Sequence, residues 1–259
     1  MKQIMKAQLY QLRKNRILWL IFFVICMMQI TGPSGEMCYY EEMMAGSKYI
    51  ADFGYTILHF AVIFVLLLTA EICGGDFMDK TKHYELMGGY TRKKIYFSRF
   101  WLSFLLSVLF MIVISMIAVI TAVVLGGWGD ELSIGWCLVR LALVIFPMFR
   151  LICEFVFLSY VVKNAYVVMG AGTFVFFAGM VGNNLIPEKA RFFSGLGTLY
   201  ELTDFHPWST FTLVGEKMIT LYDATMNASQ IAGVIGSSMV FGLFFLWLGY
   251  RVFLKDDIN

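Results

Sequence analysis

The sequence predicts an all-α integral membrane protein with six transmembrane helices, and three observations predict it. Of 259 residues, 59% are hydrophobic and only 15% are charged. The apolar residues fall in blocks at 17–32, 53–72, 100–125, 136–161, 165–186 and 229–251, each near the roughly 20 residues that a helix needs to cross a hydrocarbon core about 30 Å thick. Lys and Arg are sorted between the connections, fourteen on one side against four (Lys48, Lys189, Arg191, Lys217) on the other. Basic residues favour the inner side, so both termini and the 71–99 connection are expected in the cytoplasm, in the plasma membrane of the cell. The outer connections are acidic, so the net charge of +2 hides a separation that points to a lipid bilayer as partner and away from nucleic acid. Residues 1–259 read as one transmembrane domain, with little room for a soluble catalytic module.

The first element is residues 1–16, where Met5, Leu9 and Leu12 share a helical face and Lys2, Lys6, Arg13 and Lys14 lie largely elsewhere. A basic helix lying on the inner leaflet fits this pattern, as does a plain charged flank that sets topology. A cleavable signal peptide is a further alternative, although no small-x-small site follows the apolar run. The outer loop expected over 33–52 opens on Pro33-Ser34-Gly35 and carries Glu41-Glu42. With His59, His83 and His206 the only histidines, and no His-Glu-x-x-His spacing, these glutamates read as solvated acids. Five cysteines without CxxC spacing indicate neither a disulfide framework nor a metal site.

The 71–99 stretch is the one long charged segment between two strongly apolar runs. Asp76 is placed to cap a helix over 77–87 that stops at Gly88-Gly89, and Thr91 to cap the next, whose first turn is Arg92-Lys93-Lys94. Within it, GGDFMDKT at 74–81 is close to a phosphate-binding loop in Gly74, Lys80 and Thr81. Asp79, however, stands where the second glycine would, and a membrane helix precedes it rather than a strand, so nucleotide binding is rejected.

In the fourth run Arg150 and Glu154 are four residues apart, on one helix face, and can pair. At 1.5 Å per residue from Lys163, Glu154 lies about 14 Å deep and Arg150 about 20 Å. An intramembrane charge is expensive, so both should face protein or water. The pair is either a polar patch on a substrate path or subunit seam, or a structural tie between helices. Pro147 lies one turn earlier, where a kink is expected. Gly170, Gly172, Gly179 and Gly182, and Gly233, Gly236, Gly242 and Gly249 in the last run, suit close helix packing. The outer segment 186–228 stays aromatic and is broken by Pro187 and Pro207, as short amphipathic or re-entrant helices at the outer interface would be, or a cap over the bundle.

This arrangement resembles the membrane permease subunits of the type-2 exporter family of ATP-binding cassette (ABC) transporters. The resemblance covers the whole chain as architecture: six spans with both ends inside, a basic helix before the first span, and the aromatic segment between spans five and six. More specific is the run after span two, Glu71, Asp76-Phe77-x-x-Lys80-Thr81, Gly88 and Arg92, similar to the family's acidic-to-"GT" coupling segment and following "R" position. The tail Phe253-Leu254-Lys255-Asp256-Asp257 is similar to the family's closing aromatic-basic-acidic end. Asp79 departs from the pattern, since the family commonly has Gly there.

The resemblance implies that Phe77–Met87 is a coupling helix seated in a separate cytoplasmic ATPase. Phe77, Thr81 and Tyr84 would be its anchors, Glu85 would act beside them, and the glycine turn and Arg92 would pass movement to span three. It implies that this chain is no enzyme, that ATP and Mg belong to the partner, and that a second membrane subunit, identical or paralogous, completes the pore. The expected function is ATP-driven export of a hydrophobic or amphipathic substrate by alternating access, as in the short lantibiotic and antibiotic immunity permeases. The rivals are an ion-coupled carrier built on Arg150 and Glu154 and an intramembrane enzyme, for which no triad or metal constellation is present.

Overall fold

A computed structural model describes residues 2–39, 45–78, 85–130, 133–174 and 228–255. All regular structure among them is helical: α1 (Lys2–Lys14), α2 (Arg16–Tyr39), α3 (Gly46–Met78), α4 (Arg92–Gly126), α5 (Ile134–Val162), α6 (Ala165–Phe174) and α7 (Ala228–Lys255). The outer segment 186–228, apart from the first residue of α7, lies outside the described residues, as does the tail beyond Lys255.

The break between α1 and α2 has a local cause. Asn15 is left out of both helices, its Oδ1 accepts from the Leu18 N–H at 3.2 Å, and this cap starts α2. The chain bends by 70° there. On α1 the buried residues are Ile4, Gln8 and Leu12, while Leu9 is exposed. The apolar face expected to include Leu9 is therefore rotated, because the i, i+4, i+8 row and not the most apolar set meets the other helices.

Three boundaries differ from expectation: α3 begins at Gly46, inside the outer loop expected over 33–52, and two helices run on past their expected ends. Helix α2 runs through Pro33 to Tyr39 instead of ending at 32. Proline there removes one amide donor, and the Ser34 hydroxyl donates to the Ile30 carbonyl at 2.8 Å within the same turn. Helix α3 runs through Gly74, Gly75 and Asp76 to Met78, so Asp76 lies inside a continuing helix and is not an N-cap. The reason is packing: Gly74 sits against α6, where a Cβ would come within 2.9 Å of the Ala165 Cα. The glycine serves close approach rather than chain termination.

That contact carries a prediction. Gly74→Ala is expected to lower the melting temperature of the purified chain in detergent, since overpacking against backbone costs about 1–3 kcal/mol. At Gly75 a Cβ would meet only the Glu71 Cδ, at 4.0 Å, and alanine there is expected to be neutral or to stabilise by up to about 1 kcal/mol. Equal melting temperatures for the two variants would contradict the packing account.

Helix α4 organises the bundle. Thr91 caps it, with Oγ1 accepting from the Lys94 N–H at 3.4 Å, as the sequence leads one to expect. One face is large and apolar and points outward through Trp101, Leu105, Leu109, Met116, Ile120 and Val124, which suits lipid. The opposite face is small and buried, with Ser103, Ser107, Ser115, Ala118 and Ala122. Small residues let α3 approach, and the Ser103 hydroxyl donates to Thr69 Oγ1 at 2.9 Å across the seam. At the far end, Gly46 N donates to the Gly127 carbonyl at 2.8 Å and Ser47 N to that of Trp128 at 2.7 Å, which fastens the start of α3 to the loop after α4. The broadest contact of the bundle is α5 with α7. It is close because Gly242 lies against Phe149 and Gly249 against Phe157, and Gly249 also meets the Tyr96 hydroxyl of α4. Helix α5 continues through Pro147 without interruption.

Among the described residues three helices, at Arg92–Gly126, Cys137–Val162 and Ser238–Lys255, are long and apolar enough to cross a membrane, and the bent pair α1–α2 makes a fourth if it is one span. Ala61–Gly75 within α3, and α6, are apolar over shorter lengths.

Candidate functional site

The residues singled out in the 71–99 stretch gather at the end of the bundle where α3 and α7 finish and α4 begins. Glu71 is half-buried near the end of α3, and its Oε1 accepts from Asn15 Nδ2 at 2.7 Å. The carboxylate thus ties α3 to the hinge between α1 and α2. Phe77, one and a half turns on, packs edge-on against Tyr160 of α5, with ring centroids 5.7 Å apart. It contributes to an internal aromatic cluster in which Tyr160 also meets Phe253 at 4.9 Å and Tyr96 at 5.2 Å. Phe77, expected as an anchor in a partner's groove, lies partly buried against its own helices. Asp79, Lys80, Thr81 and Tyr84 lie outside the described residues.

Residues 85–87 form a helical turn. Gly89 adopts φ +80°, Tyr90 N donates to the Glu85 carbonyl at 3.3 Å, and Gly89 N to the Leu86 carbonyl at 3.0 Å. These two bonds and the left-handed residue make a Schellman motif. Gly88 is exposed in the turn, and Gly89 is the position that requires glycine.

Three further bonds join this turn to the rest of the molecule. The Glu85 carboxylate receives Arg99 Nη2 at 2.8 Å, with the Arg99 side chain fully buried and that of Glu85 16% exposed. Arg92 Nη1 donates to the Leu254 carbonyl at 2.6 Å, a cation placed on the C-terminal carbonyls of α7 where the helix dipole favours it. The Tyr90 hydroxyl donates to Gln3 Oε1 of α1. The turn is therefore held to α4, α7 and α1 at once.

Sequence reasoning had Glu71, Glu85 and Arg92 on this face but not their partners. Asn15 and Gln3 carried no motif, and Arg99 looked like one more topology-setting charge. A cation seven residues beyond Arg92, on the same face, was the available signal.

A second constellation lies within α5. Arg150 Nε donates to Glu154 Oε1 at 3.0 Å, with the two side chains 5% and 6% exposed, as the i, i+4 spacing leads one to expect. The guanidinium also lies 4.6 Å from the Phe241 ring of α7. Arg150 Nη2 and Glu154 Oε2 are buried without hydrogen bonds among the described residues.

A family model described as ABC-2 family transporter protein matches residues 4–180. The chain belongs to the ABC-2 transporter family. That match runs from α1 through the whole connection that carries Glu71, Glu85, Arg92 and Arg99, and past α6. An ABC-2 permease is the membrane component of a transporter and is not itself catalytic, and membership implies an ATP-binding subunit as well as a membrane. No curated protein matches the chain.

Proposed function

We propose that this ABC-2 chain is the transmembrane subunit of an ATP-driven exporter in the plasma membrane, with six spans and both termini cytoplasmic. In this reading α1 lies on the inner leaflet and 186–228 forms short helices at the outer interface. The Glu85–Arg99 pair is the observation that carries the proposal. It joins the end of the connecting segment to the first turns of α4 through a buried charge, which a solvated loop serving only as a tether would have no use for.

The ATPase, which holds ATP and Mg, docks on the segment through Lys80, Thr81 and Tyr84. Its movement reaches α4 through Glu85 and the glycine turn, and α7 through Arg92. Two such membrane subunits, identical or paralogous, alternate between inward and outward access around a hydrophobic or amphipathic substrate, with a peptide antibiotic fitting the short outer connections. Family membership favours this over an ion-coupled carrier based on Arg150 and Glu154.

The test is affinity purification of the tagged chain from native membranes in mild detergent. A nucleotide-binding ATPase is expected with the wild-type chain and is expected to be lost from a Thr81→Arg/Tyr84→Arg variant that still inserts. Absence of any ATPase from the wild-type preparation would overturn the docking proposal.

A further inference from the structure

Lys6, Leu9, Tyr10 and Arg13 follow one another at i, i+3, i+4 and i+7, so they form one stripe along α1. That stripe lies away from the buried row of Ile4, Gln8 and Leu12 and is exposed throughout, Leu9 by 48% and Tyr10 by 60%. Lys14 borders it, with Nζ 4.5 Å from the Tyr10 ring centroid. No acidic residue occurs over 1–35, and neither Lys6 nor Arg13 has an ion pair among the described residues. Water would suit the two cations and leave Leu9 and Tyr10 exposed, whereas hydrocarbon would suit the apolar pair and strand the cations. Anionic headgroups over acyl chains suit all four. Past the 70° bend, Ile17 and Leu20 are also exposed, so the apolar surface continues into α2.

We infer that the stripe from Lys6 to Arg13 binds anionic phospholipid headgroups, and that this occupancy steadies the turn over 85–90. The inference rests on the inner-leaflet placement of α1 proposed above, to which it adds a headgroup chemistry and a segment that responds to it. The connection runs through side chains at both ends of α1. The Tyr90 hydroxyl donates to Gln3 Oε1, three residues before Lys6, and Asn15 Nδ2, just past Lys14, donates to Glu71 at 2.7 Å. An anionic leaflet attracts each Lys or Arg near it, within a Debye length of the surface. Held down in this way, α1 keeps Gln3 in place for Tyr90; on a zwitterionic leaflet only its contacts with the bundle hold it. The charge of the inner leaflet thereby sets how firmly the turn that carries Glu85 and Arg92 is fixed.

The experiment is hydrogen–deuterium exchange of the full-length chain in nanodiscs of phosphatidylcholine, with and without one third phosphatidylglycerol. Gly89 N–H and Tyr90 N–H close the turn onto Leu86 and Glu85, so exchange over 85–90 reads its stability. One neutral hydrogen bond corresponds to about fivefold. Phosphatidylglycerol is expected to slow exchange over 85–90 by about that factor and to leave the amides of 163–167 unchanged. The variant Lys6→Gln/Arg13→Gln, which alters exposed side chains alone, is expected to abolish the effect. Gln3→Leu keeps the stripe and removes the acceptor of Tyr90, so it is expected to retain the slowing in α1 and lose it over 85–90. Quenching of a fluorescent amino acid in place of Ala7 by a lipid with a nitroxide headgroup separates two failures. No quenching in either nanodisc takes α1 off the leaflet and overturns placement and inference together; quenching with no effect of phosphatidylglycerol over 85–90 overturns the inference alone. Equal slowing in wild type and the double glutamine variant overturns it as well. So does loss of a co-purifying ATPase from that variant while lipid leaves 85–90 unmoved, which would make the stripe a seat for the ATPase.

Discussion

Replacing Glu154 by lysine is expected to be among the most damaging single changes in this protein. It sets two cations one helical turn apart at positions whose side chains are 5% and 6% exposed, within a helix apolar enough to cross a membrane. Breaking a buried pair by removing one partner costs about 3–5 kcal/mol, and a like charge adds repulsion. The expected result is a sharp loss of monodisperse protein on fluorescence-detected size exclusion, with partial recovery in the double reversal Arg150→Glu/Glu154→Lys. Full yield from the single variant would show the pair to be dispensable. A second double variant separates the two readings of the pair. Arg150→Met/Glu154→Leu replaces both charges by apolar groups, a change that is often neutral for folding. If the pair only ties α5 to α7, both fold and transport survive in this double variant. If it lies on a substrate path, the fold survives and transport does not.

The second large effect is expected at Glu85. Glu85→Ala leaves the backbone bonds of the Schellman turn intact, because those use its carbonyl, and removes the carboxylate that receives the buried Arg99 at 2.8 Å. A charged hydrogen bond contributes about 1.5–3 kcal/mol, so its loss is expected to show in coupling rather than in yield. ATP hydrolysis by the reconstituted complex is expected to persist while transport per ATP falls severalfold, with recovery in Glu85→Asp in proportion to how far the shorter side chain reaches Arg99. An unchanged ratio of transport to hydrolysis in Glu85→Ala would refute the role assigned to the pair.

What could be read in the sequence was what is local. The apolar runs placed the helices, Thr91 announced its helix through the residues after it, the glycine pair announced the turn, and the i, i+4 spacing announced Arg150 with Glu154. What could not be read depends on partners distant in the chain. Gly74 looks like a helix breaker until Ala165 is found against it, and Asp76 looks like a cap until α3 is seen to continue. The packing of Phe77 could not be read for the same reason, since Tyr160 lies more than eighty residues away. Arg99 belongs with these: its charge suggested topology, and only the fold brings Glu85 to it. Gln8, buried with both amide atoms unpaired among the described residues, was not legible either, because an unpaired amide is a property of a packed interior and not of a residue pattern.

The junction of α5 and α6 is only two residues long. Lys163 turns the chain with φ 58°, and Asn164 Oδ1 at once accepts from Tyr166 N at 3.0 Å and Val167 N at 3.2 Å to begin α6. Two extended residues span about 7 Å, which leaves the facing ends of the two helices no slack. The end of α5 and the start of α6 therefore cannot move apart without giving up one of these bonds, and lengthening that link is the change that would let the two helices shift independently.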